Sequence, residues 1–246
     1  MDRFGLIGYP IGHSVSPALF GAAYSGRWSY DLIEGPDFGP LRERFMQDYR
    51  AVNVTAPYKE DAYRTADILS DEVRAIHASN LLVKTPEGKV KAYNSDYLGL
   101  RTLITGAGLK AGDSALVIGC GGAGKAAAAA ARDLGLETSV ANRTAGKAGE
   151  TAQQMGVKAC DFFKAQSADI IIYTLPCPVE NIERFDANVY LEASYAHPSF
   201  DREALSAKGR RYISGRMWLF QQAVDGYPIM TSEEPDVEAM KKIYGF

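Results

Sequence analysis

Ser114-Ala115-Leu116-Val117-Ile118-Gly119-Cys120-Gly121-Gly122-Ala123-Gly124-Lys125 is the stretch from which the rest of the chain is read. Ala115 to Ile118 is a short apolar run, suited to a strand buried on both faces. A glycine-rich turn follows, and then Ala126 to Ala131, an unbroken run of the strongest helix former. Strand, glycine turn and helix together leave free backbone N–H groups at a helix start, where a pyrophosphate binds. Side chains in the turn would block its tight bend or the approach of the phosphate. Gly119, Gly121, Gly122, Ala123 and Gly124 are therefore candidate cofactor-binding residues. The first, second and last glycines have Gly-x-Gly-x-x-Gly spacing.

Downstream, Glu137 to Ala141 reads as the next strand. An acidic residue near its end would hydrogen-bond a ribose 2′-hydroxyl. This chain has Asn142-Arg143-Thr144 instead, with Lys147 one turn later. An acidic group would repel a 2′-phosphate, whereas Arg143 can pair with it and lie against the adenine. The expected cofactor is NADP rather than NAD, held by Asn142, Arg143, Thr144 and Lys147. A helix over 145–155 and strands near 157–160, 168–174, 188–193 and 211–213 continue the βαβ rhythm of a doubly wound sheet.

Upstream, the first hundred residues have a βα rhythm of their own. Strands are expected at 4–7, 29–34 and 51–54, and a β pair at 81–84 and 90–93. Ser14 or Ser16 can cap a helix running to about Ser25, with Pro17 in its first turn. A second helix spans 38–48, a helical region runs from Thr55-Ala56-Pro57 to about Ser79, and a third helix runs from Asn94-Ser95-Asp96 to Thr105. The tail, with helices at 215–227 and 233–243, contains no further βαβ unit and is expected to return to the first half. The expected fold is α/β with two α/β domains: residues 1–100 with 215–246, and residues 101–214.

Composition narrows the function. The chain has 246 residues, 46% hydrophobic, with 27 basic and 30 acidic side chains and a net charge of -3, which gives no reason to expect non-specific nucleic-acid binding. Its apolar runs are too short for a membrane span, and the start moves directly into a strand, so neither a membrane nor a signal peptide is expected. Cys120, Cys160 and Cys177 have no zinc spacing, and their odd number argues against a disulfide framework. A cytoplasmic protein without a metal, as a monomer or homodimer, is the expectation. None of the three cysteines needs a role; Cys120 lies beside a helix start, a place that can lower a thiol pKa.

Gly8-Tyr9-Pro10-Ile11-Gly12-His13-Ser14-Val15-Ser16-Pro17 resembles the opening motif of the shikimate dehydrogenases. Asn53-Val54-Thr55-Ala56-Pro57-Tyr58-Lys59 resembles their second motif; Asn80, Asn94-Ser95-Asp96 and Gly99 resemble the next two. The glycine turn, Asn142-Arg143-Thr144 and Gln221-Gln222-Ala223 complete the family's order. The resemblance implies a substrate domain, completed by the C-terminal helices, beside a Rossmann domain, with a cleft between them. It implies NADPH-dependent, reversible reduction of 3-dehydroshikimate to shikimate. Ser14 and Ser16 would bind the substrate carboxylate. Thr55, Asn80 and Gln222 would meet its ring hydroxyls or hold the pocket. Lys59 and Asp96 would be the catalytic pair.

Elementary chemistry agrees. A ketone that receives hydride becomes an alkoxide, which needs a proton and a nearby positive charge. A lysine ammonium supplies both, and an aspartate can hold it in place. Several positions depart from the family pattern: Phe20 and Gly21, Leu81, Tyr97 beside Asp96, Tyr173 to Pro178, Glu192 to Tyr195, and Met217 where a glycine is usual. They keep open a quinate or related polyol-acid dehydrogenase, a folate-type dehydrogenase, and a catalytically idle nucleotide-binding sensor on the same fold.

Overall fold

In a computed structural model, residues 2–245 are described, and the chain divides into two units. One runs to Ser95 and resumes at Ala223; the other spans Asp96–Gln222.

The first unit is built on a mixed six-stranded sheet. Its strands are β1 (Arg3–Gly8), β2 (Ser29–Glu34), β3 (Ala51–Val54), β4 (Ile68–Leu69), β5 (Leu81–Lys84) and β6 (Val90–Tyr93), in the order β2-β1-β3-β5-β6-β4. β1 pairs parallel with β2 and β3, Leu6 standing opposite Leu32 and Asn53. β5 then runs antiparallel to both β3 and β6. The helices of this half are α1 (Ser16–Ala23), α2 (Phe38–Asp48), α3 (Lys59–Thr65) and α4 (Asp71–Ile76). Ile7, Ile33, Phe45, Tyr49, Val52 and Leu82 form a buried core. Phe4, Phe20, Tyr24 and Tyr30 form an aromatic cluster. The C-terminal helices complete that cluster: Tyr227 meets Phe20 edge-on with centroids 5.0 Å apart, and the Asp236 amide donates to the Ala23 carbonyl (2.9 Å).

The second unit holds β7 (Ser114–Ile118), β8 (Glu137–Ala141), β9 (Lys158–Ala159), β10 (Ser167–Tyr173), β11 (Asp186–Glu192) and β12 (Arg211–Ile213). All pair in parallel, in the order β12-β11-β10-β7-β8-β9. Read from β7 as the first strand, this is the 3-2-1-4-5-6 order of a Rossmann sheet. Its helices are α5 (Ser95–Gly106), α6 (Gly122–Asp133), α7 (Ala145–Met155) and α8 (Arg202–Ala207). Ala126 to Ala131 of α6 are all fully buried, as expected of a helix that is apolar on every face. α9 (Gly215–Thr231) and α10 (Val237–Tyr244) end the chain.

Local expectations fail where distant packing intervenes. The helical region expected through to Ser79 is broken into α3, β4 and α4, because Ile68 and Leu69 pair with Lys91 and Ala92. Neither Ser14 nor Ser16 is the cap of α1: Val15 holds that position, and Ser16 already lies in the first turn. α9 runs past Pro228 to Thr231, its last turn fixed by burial of Met230 and Thr231. α8 is an addition to the expected elements; the Asp201 carboxylate caps it by accepting from the Glu203 and Ala204 amides.

Candidate active site

In the Rossmann unit the glycine turn leaves β7 at the point where the strand order reverses, the place where such sheets open a ligand crevice. Gly119 has φ +106°, and a Cβ on Gly124 would fall on the Gly119 carbonyl oxygen. At Gly119 and Gly124 the turn and the start of α6 thus pack too closely for side chains, and the helix start carries backbone N–H groups outside the helical ladder. A cavity of about 710 Å³ opens over this turn. Gly119, Gly121, Asn142, Arg143, Thr144 and Lys147 all line it, so the structure gathers the predicted cofactor residues around one space. Gly122, Ala123 and Gly124 form the first turn of α6 beside it.

This cavity fits a dinucleotide on its own chemistry. Two exposed cations, Arg143 and Lys147, stand with the free end of α6, and no carboxylate closes the strand β8. The opposite wall includes Thr174 to Pro178, which the sequence marks as part of a departure from the family pattern; its other residues lie outside the sequence expectations. It comprises Phe162 and Phe163, the segment Thr174 to Asn181, and Arg184. Phe163 is 72% exposed, an unusual position for so large an apolar surface. The adjacent aromatic pair Phe162-Phe163 is the signal available in the sequence. Phe162 does turn inward, meeting Phe163 edge-on at 5.4 Å.

Cys120 also lines the cavity, but its thiol pKa is not lowered. Burial pushes it up from its ordinary value, outweighing the Thr151 hydrogen bond and the Lys125 and Lys147 charges. Glu192, at the end of β11, stands in the sequence only as a departure from the family pattern, and it is fully buried. Its carboxylate accepts from the Ser199 amide (3.1 Å) and the Phe200 amide (3.3 Å), fastening the loop after β11. Burial raises its pKa, more than those hydrogen bonds lower it.

In the first unit, Ser14 lies in the loop after β1, Ser16 at the start of α1, Thr55 just after β3, and Asn80 just before β5. The loops after β1 and β3 are joined: the Tyr9 amide donates to the Ala56 carbonyl (3.1 Å), and the Thr55 amide donates to the Ile7 carbonyl (2.8 Å). Glu34 fixes the first loop by accepting from the Ile11 amide (3.0 Å). Ser14 and Ser16 face one another, with their hydroxyl oxygens 3.1 Å apart. Beneath them Tyr30 donates to Asn53 (2.8 Å), and its phenol is pushed far up by burial, an effect that the Ser16 hydroxyl partly offsets. Lys59 opens α3, and its carbonyl accepts from the Ser79 amide (2.9 Å). Lys59 and Asn80 therefore belong to one local construction. The Asn80 side-chain oxygen is committed to the Ser95 amide (2.6 Å) and hydroxyl (3.2 Å). Its amide nitrogen is the end it can turn to a ligand.

Asp96 and Gln222 belong to the second unit, on α5 and α9. The two helices touch backbone to backbone: a Cβ on Gly99 would sit 2.7 Å from the Gln222 nitrogen. The structure thus groups Ser14, Ser16, Thr55, Lys59 and Asn80 in one unit, and Asp96, Gln222 and the cofactor residues in the other. Among the described residues, no group of three or more His, Cys, Asp or Glu could hold a metal, and no helix is long and apolar enough to cross a membrane.

Comparison with known proteins gives this geometry a family. Residues 6–82 match the shikimate dehydrogenase substrate binding domain, and residues 111–192 match the NADPH-binding domain of acetohydroxy acid isomeroreductase. A shikimate dehydrogenase (NADP(+)) of Thermus thermophilus is 32% identical over 258 aligned positions, covering 98% of this chain and 97% of that protein. A crystal structure of shikimate 5-dehydrogenase from Thermus thermophilus, in complex with NADP(H) and shikimate, superposes with a TM-score of 0.88 at 30% identity, covering 99% of this chain and 98% of the other. A quinate dehydrogenase from Corynebacterium glutamicum in complex with NAD shares the fold, with a TM-score of 0.85 at 24% identity and coverage of 99% and 98%. Identity at the level of the Thermus protein, across nearly the full length of both chains and on the same two-unit α/β architecture, makes this protein a member of the shikimate dehydrogenase family.

Proposed function

We propose that the protein catalyses the reversible, NADPH-dependent reduction of 3-dehydroshikimate to shikimate. The observation that carries this reading is the pairing, in one chain, of two different ligand sites. The segments after β1 and β3 carry the neutral hydroxyls of Ser14, Ser16 and Thr55, and the amide of Asn80 stands just before β5, a set suited to a small polyhydroxy acid. The cavity over the glycine turn carries Arg143 and Lys147, suited to a phosphorylated dinucleotide.

When bound, the dinucleotide supplies the hydride chemistry. The chain's own residues do the rest. The hydroxyls of Ser14 and Ser16 donate to the substrate carboxylate, while Thr55, the Asn80 amide nitrogen and Gln222 engage the ring hydroxyls. Lys59 donates a proton to the carbonyl oxygen during reduction and regains it from the hydroxyl during oxidation; its charge steadies the oxyanion. Asp96 holds the ammonium in its working position. Residues near the C-terminal side of the glycine turn bind the pyrophosphate, and Arg143 with Lys147 takes the 2′-phosphate.

The test is a set of initial rates with shikimate or quinate, each with NADP or NAD. Turnover of shikimate with NADP well above the other three combinations supports the proposal. Turnover of quinate alone moves the substrate and keeps the chemistry. Tight NADP binding without turnover of either acid sinks the enzyme reading in favour of a nucleotide sensor.

A further inference from the structure

We propose that Tyr97 is a positioning residue: its hydroxyl, held between Arg101 and Asp133, fixes the first turn of α5 and so the direction in which Asp96 is presented. The inference rests on the reading of Asp96 as half of the acid–base pair.

Tyr97 departs from the family pattern beside Asp96, and the reaction itself leaves it unused. The structure gives it a task. Its side chain is buried, with 7% exposure. Its hydroxyl donates to Asp133 Oδ2 (2.8 Å) at the end of α6 and accepts from Arg101 Nη1 (2.9 Å), one turn along α5. Positions four apart share a helix face, so Arg101 reaches Tyr97 without distorting the helix. Asp133 is held in turn by Arg132 Nε (2.7 Å), whose Nη1 reaches the Met155 carbonyl (2.5 Å) at the end of α7. Four side chains thereby tie three helices of the nucleotide unit.

The protonation states suit the arrangement. Burial raises the Tyr97 phenol, which keeps it a donor. Burial acts to raise Asp133 too, but the Arg132 and Tyr97 hydrogen bonds outweigh it and hold the carboxylate below its ordinary value. A neutral phenol donating to a carboxylate is a charge-assisted bond, stronger than one between neutral groups. Further contacts that set α5 include the Asn80 side-chain oxygen to the Ser95 amide (2.6 Å), Gly99 against the Gln222 backbone, and Arg211 Nη1 to the Gly106 carbonyl (3.0 Å). The first lies at the head of the helix, the others along its middle and end. Tyr97 is a fastening on the C-terminal side of Asp96, as Ser95 is on its N-terminal side.

Adjacent residues on a helix differ by about 100° in direction and about 1.5 Å in height. A small rotation of the first turn that frees Tyr97 therefore swings the Asp96 carboxylate by a similar angle. The glycine turn that holds the cofactor lies at the opposite end of α6 from Asp133, so loosening Tyr97 should leave the cofactor cavity intact.

The experiment compares wild type, Tyr97→Phe, Asp133→Asn and the double variant. Tyr97→Phe keeps the buried ring and removes only the hydroxyl. The readouts are kcat and KM for shikimate with NADP, the NADP dissociation constant by calorimetry, the melting temperature, and amide exchange at Leu98 to Arg101. The expected result for Tyr97→Phe is a kcat lowered about tenfold, with NADP affinity within about twofold and faster exchange in the first turn of α5. Asp133→Asn should move kcat in the same direction, and the double variant should be no slower than Tyr97→Phe. Unchanged kcat and exchange in Tyr97→Phe would overturn the proposal. So would a parallel fall of kcat, NADP affinity and melting temperature, the mark of a general structural role. A wild-type protein inactive on shikimate overturns the proposed reaction instead, and the exchange measurement then decides the role of Tyr97 alone: faster first-turn exchange supports it, and unchanged exchange overturns it.

Discussion

The glycine turn after β7 and the loops after β1 and β3 occupy corresponding places, at the carboxyl ends of parallel strands. On the proposed function they serve ligands by different means. After β7, Gly119 and Gly124 close on one another, and the backbone at the start of α6 would be the binding surface. After β1 and β3 the backbone is used in holding the loops together, through Tyr9 to Ala56 and Thr55 to Ile7, and side chains would do the binding. The difference teaches that a site made of backbone needs glycines at fixed spacing, whereas a site made of side chains needs partners from distant loops.

That contrast can be broken most directly at Lys59. Lys59→Ala should lower kcat by roughly two to four orders of magnitude while leaving the NADP dissociation constant unchanged, because the lysine serves only the side-chain site. Steady-state rates and calorimetry on the same preparation check it; a loss of NADP binding would erase the division. Next in size is Arg143→Ala. It should weaken NADP by about tenfold to a hundredfold and leave NAD nearly unaffected, since the lost charged contact is to the 2′-phosphate alone. Equal weakening of both cofactors would show that Arg143 contributes only a face for the adenine.

Phe163→Ala sharpens the picture of the cavity's outer wall. An exposed ring at the rim contributes a stacking surface, so a several-fold rise in the KM for NADP with little change in kcat is expected. The smallest effect concerns Glu192. Its pKa is raised in the folded state by burial, so the fold binds its proton more tightly than the unfolded chain. Its contribution to stability is therefore fully present below the ordinary carboxyl pKa. It is lost as pH rises through the raised value. Glu192→Gln removes that loss, so the melting temperature of the variant relative to wild type should climb as pH rises from the ordinary carboxyl range to neutrality. A difference independent of pH would mean that the Glu192 carboxyl titrates alike in the folded and unfolded chain.

Much of the nucleotide half is legible in the sequence because its constraints are local. Strand, glycine turn and alanine helix are contiguous, and Arg143 lies just past the end of the next strand. β2, α2, β3, β5, β6, β8 and α7 also fall at the residues that periodicity marks. The unreadable parts depend on residues far apart in the chain. β4 is a strand only because Lys91 and Ala92 pair with it, and α9 continues through Pro228 because Tyr227, Met230 and Thr231 are buried. The Cys120 thiol is unreadable for the same reason: proximity to a helix start is visible in the sequence, but the burial that outweighs it is not. Tyr97 can be seen as a departure, yet its partner Asp133 lies 36 residues away.

The central claim is that this chain uses a phosphorylated dinucleotide to reduce a cyclic hydroxy-acid ketone. The most direct measurement is the consumption of NADPH on addition of 3-dehydroshikimate, with the product identified. The account predicts equimolar loss of NADPH and formation of shikimate, with far slower consumption of NADH. NADPH that binds but is not consumed, with Lys59 and Asp96 intact, would contradict it.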